Sequence, residues 1–457
     1  MLLTTLTSTA QDITGKWNGI LKIQGTQLRV VFNVEQTEDG YSSTMDSPDQ
    51  GQKDIPVTKT TLEKSKIKFE LTNAGIEYAG EISGDKIIGT FKQSAQEFPM
   101  NLSRKAVEKD VVRRPQEPIK PYPYYSEDVV FKNKKAKISL AGTLTLPKKD
   151  GVFPAVILIT GSGPQNRDEE LLGHKPFLII SDYLTRNGIA VLRYDDRGVG
   201  QSTGDFKAAT SADLATDVKS AVAYLKKRKE INKKKIGLIG HSEGGLIAPI
   251  VASKSKRVSF IVLLAGTGMR GDELLLLREE LILRADSDSE EDLKESIQTS
   301  SELFELVANS NGDNSKLKMD LTDKLNEAFA NEPDAEIPGG MKKEEYVSLY
   351  VNQLASPWMS YFMKFNPVPS LERVRCPVLA LNGAKDVQVP SKENLSAIKN
   401  ALTRGGNLNV TTKEYSNLNH LFQDCETGMP DEYSTIEQTF SSIVLDDITT
   451  WIKTQTK

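Results

Sequence analysis

Residues 235–249 read Lys235-Ile236-Gly237-Leu238-Ile239-Gly240-His241-Ser242-Glu243-Gly244-Gly245-Leu246-Ile247-Ala248-Pro249. A short apolar run enters a G-x-S-x-G turn, and a run of small, helix-compatible residues leaves it. In that strand–turn–helix setting the serine is held at the head of a helix, clear of the sheet. Gly240 and Gly244 flank it because the backbones pass too close there for side chains. A serine hydroxyl is a weak nucleophile at neutral pH and needs an adjacent base, most often histidine. The chain has only three histidines, His174, His241 and His420, so the choice of base is narrow.

The rhythm around this turn defines a fold class. Residues 154–159, 189–194, 235–239 and 258–264 are short apolar runs with strand character. Between them, residues 177–186, 212–228 and 246–253 have helical character. Strands alternating with helices predict a mostly parallel sheet covered on both faces. The rhythm stops at Thr267. Residues 268–366 show no strand pattern and predict several helices, anchored by residues such as Leu274, Leu303, Phe304 and Leu306, with a solvated acidic helix start at 286–292. Strands resume at 377–381 and 410–415, with helices at 392–402 and 434–452. Residues 268–366 are thus a helical insertion in the strand–helix rhythm.

Upstream the grammar differs. Leu28, Val30, Phe32 and Val34 alternate with polar residues, as do Ile67, Phe69 and Leu71, and then Ile76, Tyr78 and Ile82. Period-two alternation predicts half-buried antiparallel strands. Asp39-Gly40, Asn73-Ala74-Gly75 and Ser83-Gly84-Asp85 supply turns. The segment predicts a small all-β barrel or sandwich. Gly15-Lys16-Trp17 resembles the opening of lipocalin-like barrels, and a core tryptophan on the first strand accounts for it equally well. Pro115, Pro118, Pro121 and Pro123 make the following stretch an extended linker. The expected organisation is a signal-peptide remnant or disordered segment at 1–10, an all-β domain at 11–105, a linker at 106–127, a catalytic domain at 128–266 and 367–457, and a helical cap at 267–366.

Five motifs in order, Thr160-Gly161-Ser162-Gly163-Pro164, Arg193-Tyr194-Asp195-Asp196-Arg197-Gly198, the Ser242 turn, Asn382-Gly383-Ala384-Lys385-Asp386 and Asn419-His420-Leu421-Phe422, make residues 128–457 resemble the α/β-hydrolase family. The resemblance is to its bacterial carboxylesterase and acyl-hydrolase branch, here with an N-terminal lipocalin-like β domain. It implies Ser242 as nucleophile, His420 as general base and Asp386 as the acid that orients the histidine. Asp424, close in sequence to His420, is the runner-up acid. The oxyanion hole is expected from the backbone N–H groups of Glu243 and Ser162. Thr160-Gly161 stands where many relatives have His-Gly, which leaves the role of that loop's side chain open. His241 is expected to pack or hydrogen-bond beside the nucleophile, and His174 to line the pocket or, as preferred here, to face solvent. Arg167, Asp168, Arg197 and Glu243 either recognise a polar part of the substrate or, as preferred here, support the loops by pairing. Trp358, Tyr361, Phe362 and Phe365 recur at helical spacing, to line an acyl pocket or pack the cap.

The function expected is therefore serine carboxylic-ester hydrolysis of small-molecule esters with short to medium acyl chains. A serine peptidase, thioesterase or acyltransferase of the same fold is the alternative. From another class, a ligand-binding protein with an inert hydrolase domain is the competitor. Bulk properties narrow the rest. With 58 basic against 62 acidic residues the net charge is −4, which gives nucleic-acid binding no electrostatic support. Two cysteines make no disulfide framework, and neither a cofactor nor a metal motif is present. No apolar run is long enough to span a bilayer. The first eleven residues resemble the tail of a secretory signal, with Ser8-Thr9-Ala10 as a cleavage site, and predict an exported bacterial protein. Oligomeric state is not legible.

Overall fold

The computed structural model describes residues 12–23, 26–38, 40–50, 52–93, 96–108, 114–286, 289–330 and 342–457. The signal-like start, Asp39 of the first predicted turn, part of the linker, and Ser287 and Asp288 of the acidic stretch lie outside these residues. The chain forms two compact units, one built on the N-terminal sheet together with Phe329–Val347, the other on the remaining residues.

The first unit carries ten strands: β1 (Gly15–Ile23), β2 (Thr26–Thr37), β3 (Gly40–Ser47), β4 (Gln52–Pro56), β5 (Lys59–Glu63), β6 (Lys66–Leu71), β7 (Ile76–Ser83), β8 (Lys86–Gln93), β9 (Gln96–Pro99) and β10 (Leu102–Ser103). They make one antiparallel sheet in the order β4-β3-β2-β1-β10-β8-β7-β6-β5, with β9 on β8. The sheet curls back on itself. Val57 N–H donates to Ser43 O at 3.1 Å and Thr58 N–H to Glu70 O at 2.7 Å, so the β4–β5 connection bridges its two ends. The alternating residues point inward. Trp17 lies opposite Phe32, and Phe69 opposite Tyr78. Phe32 and Phe69 stack with centroids 4.3 Å apart, a geometry worth about 0.5–1.5 kcal/mol beyond burial. These rings fill the interior. Trp17 is a core residue whose indole N–H donates to Ile13 O at 2.8 Å.

The second unit holds an eight-stranded sheet: β11 (Tyr125–Asn133), β12 (Ile138–Leu146), β13 (Phe153–Ile159), β14 (Ala190–Tyr194), β15 (Ile231–His241), β16 (Phe260–Leu264), β17 (Val378–Gly383) and β18 (Val410–Tyr415), in the order β11-β12-β14-β13-β15-β16-β17-β18. β11 and β12 are antiparallel; from β14 onward all pairings are parallel. Its helices are α1 (Pro176–Arg186), α2 (Ser211–Leu225), α3 (Glu243–Ala252), α4 (Gly271–Asp286), α5 (Glu290–Asn309), α6 (Asn314–Ala328), α7 (Lys343–Leu354), which begins in the first unit, α8 (Pro357–Lys364), α9 (Val368–Leu371), α10 (Ser391–Arg404) and α11 (Ser442–Gln455). Successive strand residues feed opposite cores. Ile157 and Leu238 pack with α2, α3 and α10, whereas Val156, Leu158 and Ile239 pack with α1 and α11. Burial on both faces is why these strands read as unbroken apolar runs. The protein has the α/β-hydrolase fold, with α4–α8 inserted after β16.

Two sequence expectations are corrected. Residues 125–127, read as linker, begin β11, whose buried alternation starts only at Val129 and Phe131, so its first residues carry no apolar signal. The closing helix starts at Ser442 rather than near 434. The N–H groups of Thr439 and Phe440 are taken by Gln116 Oε1 at 2.6 and 3.0 Å, which diverts the backbone from helical bonding. Among the described residues no helix is long and apolar enough to cross a membrane.

Candidate active site

The turn between β15 and α3 holds Ser242 at φ 50°, ψ −116°. A non-glycine residue in this region carries strain of roughly 1–3 kcal/mol, sustained only where surroundings over-determine it. Here they do. Ser242 N–H donates to Leu264 O at 2.8 Å. A Cβ on Gly240 would sit 2.0 Å from Gly244 O, and one on Gly244 2.1 Å from Ile159 O. Only glycines let strand and helix approach this closely.

Asp386 and His420 come from the loops after β17 and β18. His420 Nδ1 lies 2.8 Å from Asp386 Oδ2, and both side chains are buried. The other carboxylate oxygen accepts the N–H groups of Gln388 and Val389, each at 2.8 Å. Asn419 Oδ1 accepts from Leu421 N–H and Gln423 N–H at 3.0 Å, shaping the turn that presents the imidazole. Asp424 is exposed and pairs with Gln438 instead. Ser242 and His420 line one cavity of about 280 Å³. Among the described residues the Ser242 hydroxyl makes no hydrogen bond within the protein.

The loop after β13 lies against the elbow: a Cβ on Gly161 would be 3.3 Å from that of Ser242. Gly161 N–H is taken by Glu169 Oε1 at 2.7 Å. Among the described residues no protein acceptor meets the N–H of Ser162 or of Glu243, so both remain available to a ligand. Thr160 turns away from the site, its hydroxyl 3.0 Å from both carboxylate oxygens of buried Asp196. Burial drives the Asp196 carboxyl well above its ordinary range.

Glu169 has no role legible in the sequence. Besides holding Gly161, it lies 3.1 Å from His241 Nδ1, while His241 Nε2 lies 3.0 Å from His420 O. His241 thereby ties the loop after β13 to the His420 turn. Burial opposes its charged form, but the adjacent Glu169 carboxylate outweighs that and raises its pKa. Its signal in the structure is a positive φ of 51° at Glu169, which no periodicity reveals. His174 is a correction: it is buried, not solvated. Its Nδ1 lies 2.9 Å from Thr439 Oγ1 and its Nε2 2.8 Å from Tyr433 O. Burial, then the Arg114 cation, lower its pKa to about 4.

The charged loop residues are internally paired. Arg167 makes a two-pronged contact with Asp195 at 2.7 and 3.0 Å and also reaches Asp128. Arg197 bonds Asp217 at 2.8 Å, and Arg193 pairs with Asp168. Glu243 is buried, and burial raises its pKa. Its Oε1 accepts the Ser211 hydroxyl at 2.6 Å and the Trp358 indole N–H at 2.9 Å. Trp358 and Phe362 of α8 stack at 5.2 Å and line the cavity with Leu274 and Leu275 of α4. Tyr361 stacks on Phe365 at 5.5 Å. Among the described residues no cluster suited to a metal ion is present.

Esterase EstD of Thermotoga maritima is 27% identical over 337 residues, 72% of this chain and 69% of that protein. Among solved structures, the Pyrococcus furiosus esterase Pf2001 aligns at 18% identity and a TM-score of 0.45, covering 77% of this chain and 100% of that one. The α/β hydrolase GrgF from Penicillium aligns at 18% identity and a TM-score of 0.39, covering 64% and 89%. The family model of the X-Pro dipeptidyl-peptidases (S15 family) matches residues 135–412, and the chain belongs to that family.

Proposed function

We propose that the protein is a serine carboxylic-ester hydrolase acting on short- to medium-chain acyl esters, with Ser242, His420 and Asp386 as its triad. The observation that carries this reading is the buried His420–Asp386 contact at 2.8 Å opening on the same cavity as a strained Ser242. In the reaction Ser242 Oγ attacks the ester carbonyl as His420 Nε2 takes its proton. Asp386 stabilises the imidazolium and fixes its tautomer. The oxyanion is held by the N–H groups of Ser162 and Glu243. Collapse breaks the C–O bond, and the alcohol leaves with the proton from His420. Water, deprotonated by His420, then cleaves the acyl-enzyme. The apolar wall of Leu274, Leu275, Trp358 and Phe362 takes the acyl chain, and the small cavity favours short ones. The likeness to a named esterase supports ester chemistry.

A serine peptidase is the second reading, favoured by the family match. One experiment separates them. Fluorophosphonate labelling and p-nitrophenyl butyrate turnover, both abolished in Ser242→Ala, are expected, with no cleavage of an X-Pro anilide. Anilide cleavage exceeding ester turnover would favour the peptidase. No labelling of folded wild type would remove both.

A further inference from the structure

Three arginines mark helix α4 and its start. Arg270 pairs with Asp272, and Arg284 pairs with Glu280 at 3.1 Å and Glu290 at 2.8 Å. Arg278 forms no ion pair with any described residue. The sequence explains why: its helical neighbours at three and four positions are Leu274, Leu275, Leu281 and Ile282, so no carboxylate faces it along the helix. Its neighbour Glu279 is near enough to feel its charge but accepts the Ser300 hydroxyl at 2.6 Å rather than pairing with the guanidinium. Arg278 is also the one of the three that lines the cavity of Ser242 and His420, one helical turn beyond Leu274 on the cap wall. The only carboxylate among the described lining residues, Glu169, is occupied by Gly161 and His241.

A guanidinium that no described carboxylate pairs with, beside an apolar wall, is a binding group in waiting, because its planar fork matches a carboxylate in two parallel hydrogen bonds. A single cation suits a singly charged carboxylate better than a doubly charged phosphate. The acyl chain runs along this wall in the ester-hydrolase reading, on which the inference rests. We infer that the preferred substrates are esters whose short acyl chain ends in a free carboxylate, held by Arg278.

The test compares p-nitrophenyl hydrogen glutarate with p-nitrophenyl valerate, similar in chain length and differing in the terminal charge. Wild type should show the higher kcat/KM for the glutarate. Arg278→Met should lower the glutarate-to-valerate ratio by roughly 10- to 100-fold, the range for a hydrogen-bonded charge. Arg278→Lys, which keeps charge but loses the fork, should fall between. A second readout needs no turnover: monoethyl glutarate should raise the melting temperature of Ser242→Ala more than ethyl valerate does, and the added Arg278→Met change should erase the difference. An unchanged ratio in Arg278→Met, or equal stabilisation by the two ligands, overturns the inference. Absence of ester turnover with the stabilisation difference intact would instead remove the ester reading and leave the carboxylate site standing.

Discussion

The indole N–H of Trp358, on cap helix α8, donates at 2.9 Å to Oε1 of Glu243, the residue directly after Ser242. The cap is thus bonded to the first turn of α3, beside the backbone N–H assigned to the oxyanion hole. The same oxygen accepts the Ser211 hydroxyl at the start of α2. A change in the cap is therefore expected to reach the Ser242 turn through this hydrogen bond. Trp358→Phe should keep the stack on Phe362 but lose this donor, lowering kcat/KM for p-nitrophenyl butyrate by about tenfold. A double-mutant cycle with Glu243→Ala, which removes the acceptor, should show coupling of about 1 kcal/mol. Strict additivity would mean that the bond does not transmit cap position.

Glu243 also sets a pH dependence. Its carboxyl pKa is raised above 4.5 by burial. The folded state thus binds the proton more tightly than the unfolded state. The associated stability is complete below pH 4.5 and is lost as pH rises through the folded value. Melting curves of wild type and Glu243→Gln from pH 4 to 8 should show the wild type losing ground relative to the variant as pH increases. A constant difference would contradict the raised value.

His174 works in the opposite direction. Its pKa falls from 6.5 to about 4 on folding, so the native state favours the neutral ring. The stability it contributes is present above pH 6.5 and lost as pH falls toward 4. His174→Gln should flatten this part of the acid melting profile. Equal slopes for the two proteins would show that the ring titrates normally.

Asp386→Asn should reduce ester turnover by about 10⁴-fold, the scale seen when a triad histidine loses its orienting carboxylate. Asp424→Asn, at an exposed position bonded to Gln438, should leave turnover within a factor of two. The reverse pattern would move the acid to Asp424.

Gly240→Ala tests the elbow. Its new Cβ would overlap Gly244 O, 2.0 Å away, forcing strand and helix apart at a cost of about 1–3 kcal/mol or more. A lower melting temperature and loss of fluorophosphonate labelling are expected. An unperturbed, labelled variant would mean the turn can relax without moving Ser242.

The local grammar of the chain determined much of this protein. Period-two alternation from Leu28 to Ile82, apolar strands alternating with helices, and Gly-x-Ser-x-Gly between a strand and a helix all act over a few residues, where sterics and burial leave one arrangement. The order Ser242, Asp386, His420 is likewise written in the chain. What only the tertiary structure decided is which side chains meet. Asp386 faces His420 while Asp424 does not, because a turn held by Asn419 aims the imidazole toward the β17 loop. His174 is buried because Tyr433 and residues 434–439, the latter predicted as helix, fold over it, bringing Tyr433 O and Thr439 to its ring. Glu169 bridges Gly161 and His241, and Glu243 meets Trp358, 115 residues away. Pairings over such separations depend on how distant loops pack around the sheet, and no local pattern encodes them.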